Sequence, residues 1–77
     1  MSENTIAVER IVVSINGASY ELTTGANCTD ALAQLGLEPT QRLAVELNEE
    51  IVPRSQLATH RLQDGDRMEI IQAVGGG

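Results

Sequence analysis

Apolar and polar positions alternate along most of the chain, and the period lengthens only once. Ile11-Val12-Val13-Ser14-Ile15 is a β-branched run that ends in Asn16-Gly17. A type I′ turn needs positive φ at both central positions, so Asn-Gly after such a run predicts a hairpin. The returning strand covers residues 18–23, with Tyr20 and Leu22 on one face and Ser19 and Glu21 on the other. Thr24-Gly25-Ala26-Asn27 reads as a loop, and residues 28–35 then take up helical spacing, with Ala31, Leu32 and Leu35 forming one apolar stripe. Asn27 or Thr29 can supply the N-cap oxygen, and Asp30 sits in the first turn, where negative charge is favoured. Gly36 follows where a C′ glycine belongs, and Leu37-Glu38-Pro39 ends the helix.

The second half returns to alternation. Leu43-Ala44-Val45-Glu46-Leu47 predicts a strand, Asn48-Glu49-Glu50 a turn, and Ile51-Val52 a further strand. Pro53 has no amide to donate, which confines that strand to an edge or to a short length. Residues 54–62 show no clear period and leave room for one irregular helical turn. Asp64-Gly65-Asp66 is a tight turn before a final apolar strand over residues 68–74. A last strand this apolar belongs in the middle of a sheet, parallel to the first strand through a long crossover. The order β-β-α-β-β-β predicts an α+β fold: a mixed sheet of about five strands with one main helix packed on it. That is the β-grasp, or ubiquitin-like, architecture, with Ala31, Leu32 and Leu35 expected to pack on Val13, Ile15, Leu47 and Ile70. The chain divides into a polar, frayed extension over residues 1–10 (Ile6 and Val8 excepted), a β-grasp domain over 11–74, and a glycine tail over 75–77.

Composition narrows the function classes. A chain of 77 residues buries only about 60% of its unfolded surface, enough for one small core and no enclosed substrate cavity. Tyr20 is the single aromatic residue, and 11 acidic against 5 basic residues give a net charge of −6. Nucleic acid is a poor partner for such a surface, because phosphates need basic groups and bases need aromatic platforms. A standalone enzyme is not expected. One cysteine cannot form an internal disulfide, which fits a reducing, cytoplasmic setting. No basic leader precedes the domain, and no apolar run exceeds three or four residues, so neither a signal peptide nor a membrane-spanning helix is expected. All five basic residues are arginine, so the chain offers no lysine amine as an acceptor.

Candidate chemistry is sparse until the C-terminus. His60 has no Ser or Cys partner in an evident constellation and reads as a surface loop residue. Cys28 lies at a helix start, where thiolate is favoured, but a lone cysteine reads as a small buried hydrophobe. Both are expected to be dispensable. Glu46, Glu49 and Glu50 could approach a metal, but a solvated turn accounts for them equally well. The tail is different. Gly75-Gly76-Gly77 directly follows an apolar strand, and residues without Cβ can thread a narrow channel. At about 3.3 Å per residue it carries the Gly77 carboxylate roughly 10 Å beyond the domain. An α-carboxyl with a pKa near 3.5 is ionised at neutral pH and able to attack the α-phosphorus of ATP. The acyl-adenylate so formed can lose AMP to a sulfur or amine nucleophile. The tail therefore suits a covalent carrier better than a frayed end, with Gly75 and Gly76 threading a partner's active site and Gly77 as the carrier residue. Partner recognition is assigned to Val74, Glu69, Asp64 and Asp66.

The residues also carry a family resemblance. Val45-Glu46-Leu47-Asn48, then Ile51-Val52-Pro53-Arg54-Ser55-Gln56, Leu62-Gln63-Asp64-Gly65-Asp66-Arg67-Met68-Glu69-Ile70 and Val74-Gly75-Gly76-Gly77 closely resemble ThiS, the sulfur-carrier family of thiamin biosynthesis. Ile15-Asn16-Gly17 with Tyr20-Glu21-Leu22 is similar as well. The likeness covers residues 11–77, and Val-Pro-Arg-Ser-Gln is its most specific part. Residues 1–10 are longer than the family's usual start, and Leu57 stands where an aromatic is common. The resemblance implies a non-enzymatic carrier without a bound cofactor or metal. A ThiF-type adenylating enzyme would use Mg-ATP to activate Gly77. A cysteine desulfurase or another sulfur donor would supply sulfur for a thiocarboxylate, and thiazole synthase would take that sulfur into the thiazole ring. The alternatives are a molybdopterin-synthase-type sulfur carrier, against which Val52-Pro53-Arg54-Ser55-Gln56 argues, a ubiquitin-like protein modifier, and a plain interaction module.

Overall fold

The structure, a computed structural model, describes residues 9–73. The expectations for residues 1–8, Ile6 and Val8 among them, and for Val74, Gly75, Gly76 and Gly77 lie outside the described residues. Arg10–Ile15 forms β1 and Ala18–Thr23 forms β2. Asn16 and Gly17 join them at φ 52° and 87°, the two left-handed positions a type I′ turn requires. The helix α1 spans Cys28–Gln34 and is closed at both ends by its own sequence. Asn27 Oδ1 accepts from the Asp30 amide at 2.8 Å while Asp30 Oδ2 accepts from the Asn27 amide at 2.9 Å, a reciprocal capping box. At the other end Gly36, at φ 75°, donates to Ala33 and Leu37 donates to Leu32, which is the Schellman closure.

β3 (Leu43–Leu47), β4 (Glu50–Val52) and β5 (Arg67–Gln72) complete a five-stranded sheet in the order β2-β1-β5-β3-β4. β5 is central, parallel to β1 and antiparallel to β3, and β4 is a three-residue edge that stops at Pro53. This is the β-grasp arrangement. The β3–β4 loop is tighter than the sequence suggests. Asn48 and Glu49 alone make the turn, at φ 51° and 73°, and Glu50 already pairs with Leu47. Glutamate seldom adopts a left-handed backbone, so its side chain gave no sign of this turn.

The core lies between α1 and the inward face of the sheet. Along β1 Ile11, Val13 and Ile15 are buried, and along β5 Met68 and Ile70. Cys28, Ala31 and Leu32 of α1 are completely buried in the same cluster, with Leu35 partly buried at its rim. The irregular stretch after β4 contributes more than its pattern promised. Arg54–Gln56 forms one 3-10 turn, and Leu57 and Leu62 on its far side are buried in the core. The loop carbonyls of His60 and Leu57 accept from the Cys28 and Thr29 amides, so the first turn of α1 is closed by protein rather than by solvent. Burial pushes the Cys28 thiol up from 9.0 to about 11, and the Asp66 charge adds to the rise. Its environment is the reverse of an activating one.

Leu32→Ala removes a fully buried side chain at the helix–sheet contact and should cost about 2–5 kcal/mol, much of a small domain's stability. A urea midpoint equal to that of the wild type would contradict this packing. The raised thiol pKa makes a second expectation. The folded state favours the protonated thiol, so its contribution is complete below pH 9 and disappears as pH rises towards about 11. Urea midpoints measured across that range should fall more steeply for the wild type than for Cys28→Ala; parallel curves would count against a buried neutral thiol.

Candidate functional site: the base of the C-terminal tail

β5 is the strand that leads towards Val74 and the glycines, and its two flanks are held differently. On the β1 side only Ser14↔Arg67 and Ile15↔Met68 are paired. Past them the chain turns away, and the Asn16 side chain takes over the ladder. Its Oδ1 accepts from the Ile70 amide at 2.8 Å, and its Nδ2 donates to the Ile70 carbonyl at 3.4 Å. A carboxamide presents one donor and one acceptor as a peptide group does, so Asn16 extends β1 with a side chain. On the β3 side pairing runs further, from Leu47↔Met68 to Leu43↔Gln72, and Ala73 donates to the Arg42 carbonyl at 3.0 Å. Residues 71–73 are therefore held from β3.

The outer face of the sheet near this end is part apolar and part acidic. Ile71 lies opposite Ala44, Glu69 opposite Glu46, and Glu46 opposite Ile51. Ile51 is 71% exposed and Ile71 54% exposed, large apolar side chains left in water beside two carboxylates. Like charges directly opposite one another oppose pairing, so Glu46 and Glu69 do not serve the sheet's own stability. Of this face the sequence singles out Glu69 alone for partner recognition; Ile51 and Ile71 stand exposed beside it. The signal for Ile71 was the strict alternation itself: if Met68 and Ile70 face inward, Ile71 must face out.

Asp64 and Asp66 are placed at the opposite end of β5, a strand length of about 20 Å from its exit. There they stabilise a turn. Asp64 Oδ1 accepts from the Val12 amide at 2.8 Å, while Asp66 accepts from the Gln63 amide and from Asn48 Nδ2. Asn48 Oδ1 in turn accepts from the Arg67 amide at 2.9 Å. Glu69 lies midway along β5, three residues from Asp66 and three from Gln72. The ion pairs Arg10–Glu21 and Arg67–Glu49 are solvent-exposed and add little.

Cys28 is buried under α1, and His60 is exposed in the loop that closes the helix start. A surface depression of about 700 Å³, open to solvent, is lined by β1, β2 and α1 residues such as Arg10, Glu21, Asp30 and Gln34, with none from β3 or β5. Among the described residues, no three or more His, Cys, Asp and Glu side chains come together as a metal-holding group, and no helix is long and apolar enough to cross a membrane.

Comparison with known proteins agrees with the fold. The sulfur carrier protein ThiS of Escherichia coli is 32% identical over 65 residues, which cover 84% of this chain and 97% of that protein. A thiazole synthase of Paramagnetospirillum magneticum is 38% identical over 63 residues, covering 82% of this chain but 19% of that protein. The chain thus spans about a fifth of the length of that relative. Among solved structures, the thiamine biosynthesis protein ThiS of Geobacter metallireducens matches with a TM-score of 0.71 at 28% identity, over 87% of this chain and 100% of that one. The model of the ThiS family matches residues 13–77, and with the Escherichia coli likeness this establishes that the chain belongs to the ThiS family.

Proposed function

We propose that the chain is a sulfur carrier for thiamin biosynthesis, acting in the cytoplasm through the carboxylate of Gly77. The observation that carries the proposal is the central strand β5, anchored on both flanks, running directly towards Val74-Gly75-Gly76-Gly77 in a member of the ThiS family. A carboxylate oxygen of Gly77 attacks the α-phosphorus of Mg-ATP bound by a ThiF-type adenylating enzyme, and pyrophosphate leaves. Sulfide (HS⁻) then attacks the acyl carbon and expels AMP, and loss of its proton leaves a Gly77 thiocarboxylate. Thiazole synthase accepts that sulfur; the likeness of this chain to part of a thiazole synthase supports the pairing. The carrier brings the reacting carboxylate and a tail slim enough for the partner's site, while Mg-ATP chemistry belongs to the partner.

Recognition falls to the outer face at the tail end. Ile51 and Ile71 supply apolar area, and the opposed Glu46 and Glu69 gain from a cationic side chain on the partner. Val74, the next residue in sequence after Ala73, is assigned to the same recognition. Asp64 and Asp66 contribute to the −6 net charge and its long-range field rather than to close contact.

The decisive measurement is the intact mass of the chain after incubation with a ThiF-type enzyme, Mg-ATP and sulfide. One oxygen should be replaced by sulfur, and fragmentation should place it on Gly77. Deleting Gly77 shortens the reach by about 3 Å, a bond-forming distance, so the truncated chain should dock and stay unloaded. Gly76→Val should fail as well, because a β-branched residue widens the thread and loses conformations open to glycine. Equal loading of the wild type and the Gly77 deletion would rule the proposal out. In the same assay the association rate should fall as salt rises, since −6 charges steer the chain to a basic surface. A rate indifferent to ionic strength would remove electrostatic steering from the account.

A further inference from the structure

The two edges of β3 are unequal at the end nearest the tail. β4 leaves β3 early: its last pair is Val45↔Val52, and Pro53, at φ −59° and ψ 148°, sends the chain into the 3-10 turn. β3 continues beyond that point, and Leu43 still pairs with Gln72. Successive carbonyls of a strand point to opposite sides. Arg42 turns its carbonyl to β5, where it accepts from the Ala73 amide at 3.0 Å, so Leu43 at the start of β3 turns its own to the side β4 has vacated, and the Gln41 carbonyl in the bend before it is reached from the same side. Arg54 reaches back into that gap. Its Nη2 donates to the Gln41 carbonyl at 3.2 Å and to the Leu43 carbonyl at 3.4 Å. One guanidinium nitrogen stands in for the missing end of β4.

We propose that Arg54 is a positioning residue for the carrier tail. It braces the backbone of residues 41–43, and that backbone in turn holds Gln72 and Ala73. The β1 side cannot do this, since its last tie to β5 is Asn16 on Ile70. Without the brace, the last fixed pairing of β5 moves back from Ala73 towards Ile70. The partner must then order additional residues before Gly77 reaches the ATP, and fixing one backbone residue is worth about a tenfold change in an equilibrium. The effect on sulfur loading rests on the function proposed above; the effect on the backbone does not.

The test therefore has two arms, both on the full chain. In the first, amide hydrogen exchange is followed by NMR in the wild type, Arg54→Ala and Arg54→Lys. Arg54→Ala should speed exchange at Ala73 by about tenfold while Val45 and Ile70 stay within about twofold of the wild type. Arg54→Lys should restore protection, because one ammonium nitrogen can also donate to both carbonyls. Unchanged exchange at Ala73, or loss of protection at Val45 and Ile70 in step with it, would overturn the assignment. The second arm measures sulfur loading by a ThiF-type enzyme with Mg-ATP and sulfide. Arg54→Ala should lower kcat by about tenfold with KM nearly unchanged, and Arg54→Lys should recover most of the loss. A raised KM with unchanged kcat would make Arg54 a docking contact and overturn the positioning role. A wild-type chain that takes no sulfur would refute the proposed function, and the exchange arm would still decide whether Arg54 braces the strand.

Discussion

The fold depends on holding β5 in the middle of the sheet when β3 pairs with it along five residues and β1 along only two. The weak flank is the β1 side, where the strand pairing stops at Ile15↔Met68. Two asparagines at the ends of neighbouring strands make up the difference. Asn16 pairs with both backbone groups of Ile70, and Asn48 exchanges with Arg67 through its amide, 2.7 Å from the Arg67 carbonyl, and through its side-chain oxygen. Both sit at positive φ, a backbone that asparagine tolerates better than other side chains except glycine. The same residues therefore set the turns and complete the central ladder. Losing either side chain would leave β5 backbone groups unpaired at the strand that leads to the tail.

This economy suits a domain with a single thin core. The inner face of the sheet, with Cys28, Ala31 and Leu32 against it, forms most of the core, and Ala26, Leu57 and Leu62 close it from loops. The outer face is free of that duty, which explains how Ile51, Ile71 and the opposed Glu46 and Glu69 can stand there. An apolar patch beside like charges is a poor solution for an isolated sheet and a good one for a surface that is covered intermittently. The chemistry is segregated in the same way. The one thiol is buried and kept protonated, so it does not compete for the sulfur that the proposed mechanism moves at the C-terminus.

What could be read from the sequence was whatever a single residue type announces. Asn16-Gly17 gave the first hairpin, Asn27, Asp30 and Gly36 the helix ends, and alternation the buried faces of β1, β3 and β5. Pro53 marked β4 as a short edge. The Asn48-Glu49 turn was blurred because glutamate at φ 73° is an exception to its own preference. Asp64 and Asp66 looked like surface charge because nothing local shows that their oxygens are taken up by the amides of Val12 and Gln63. Residues 54–62 looked formless because Leu57 and Leu62 enter the core from a loop, with no period to betray them. The tail's assignment rests on the sequence, in which three glycines close the chain, the first of them three residues after Gln72, the last residue of β5.

Arg54 belongs to the illegible part, and it shows where sequence reasoning stops. Val52-Pro53-Arg54-Ser55-Gln56 was the most specific stretch of the family resemblance, yet the residue types alone suggest a solvated turn. Its meaning comes from the edge that Pro53 creates. A proline that ends β4 leaves the carbonyls of Gln41 and Leu43 without a β4 partner, and the next residue in the chain carries a side chain long enough to return to them. Ending the edge strand and bracing its neighbour are thus consecutive steps of one short segment. The neighbour so braced is the strand that holds Gln72 and Ala73, which connects a local turn to the carboxylate four residues beyond Ala73.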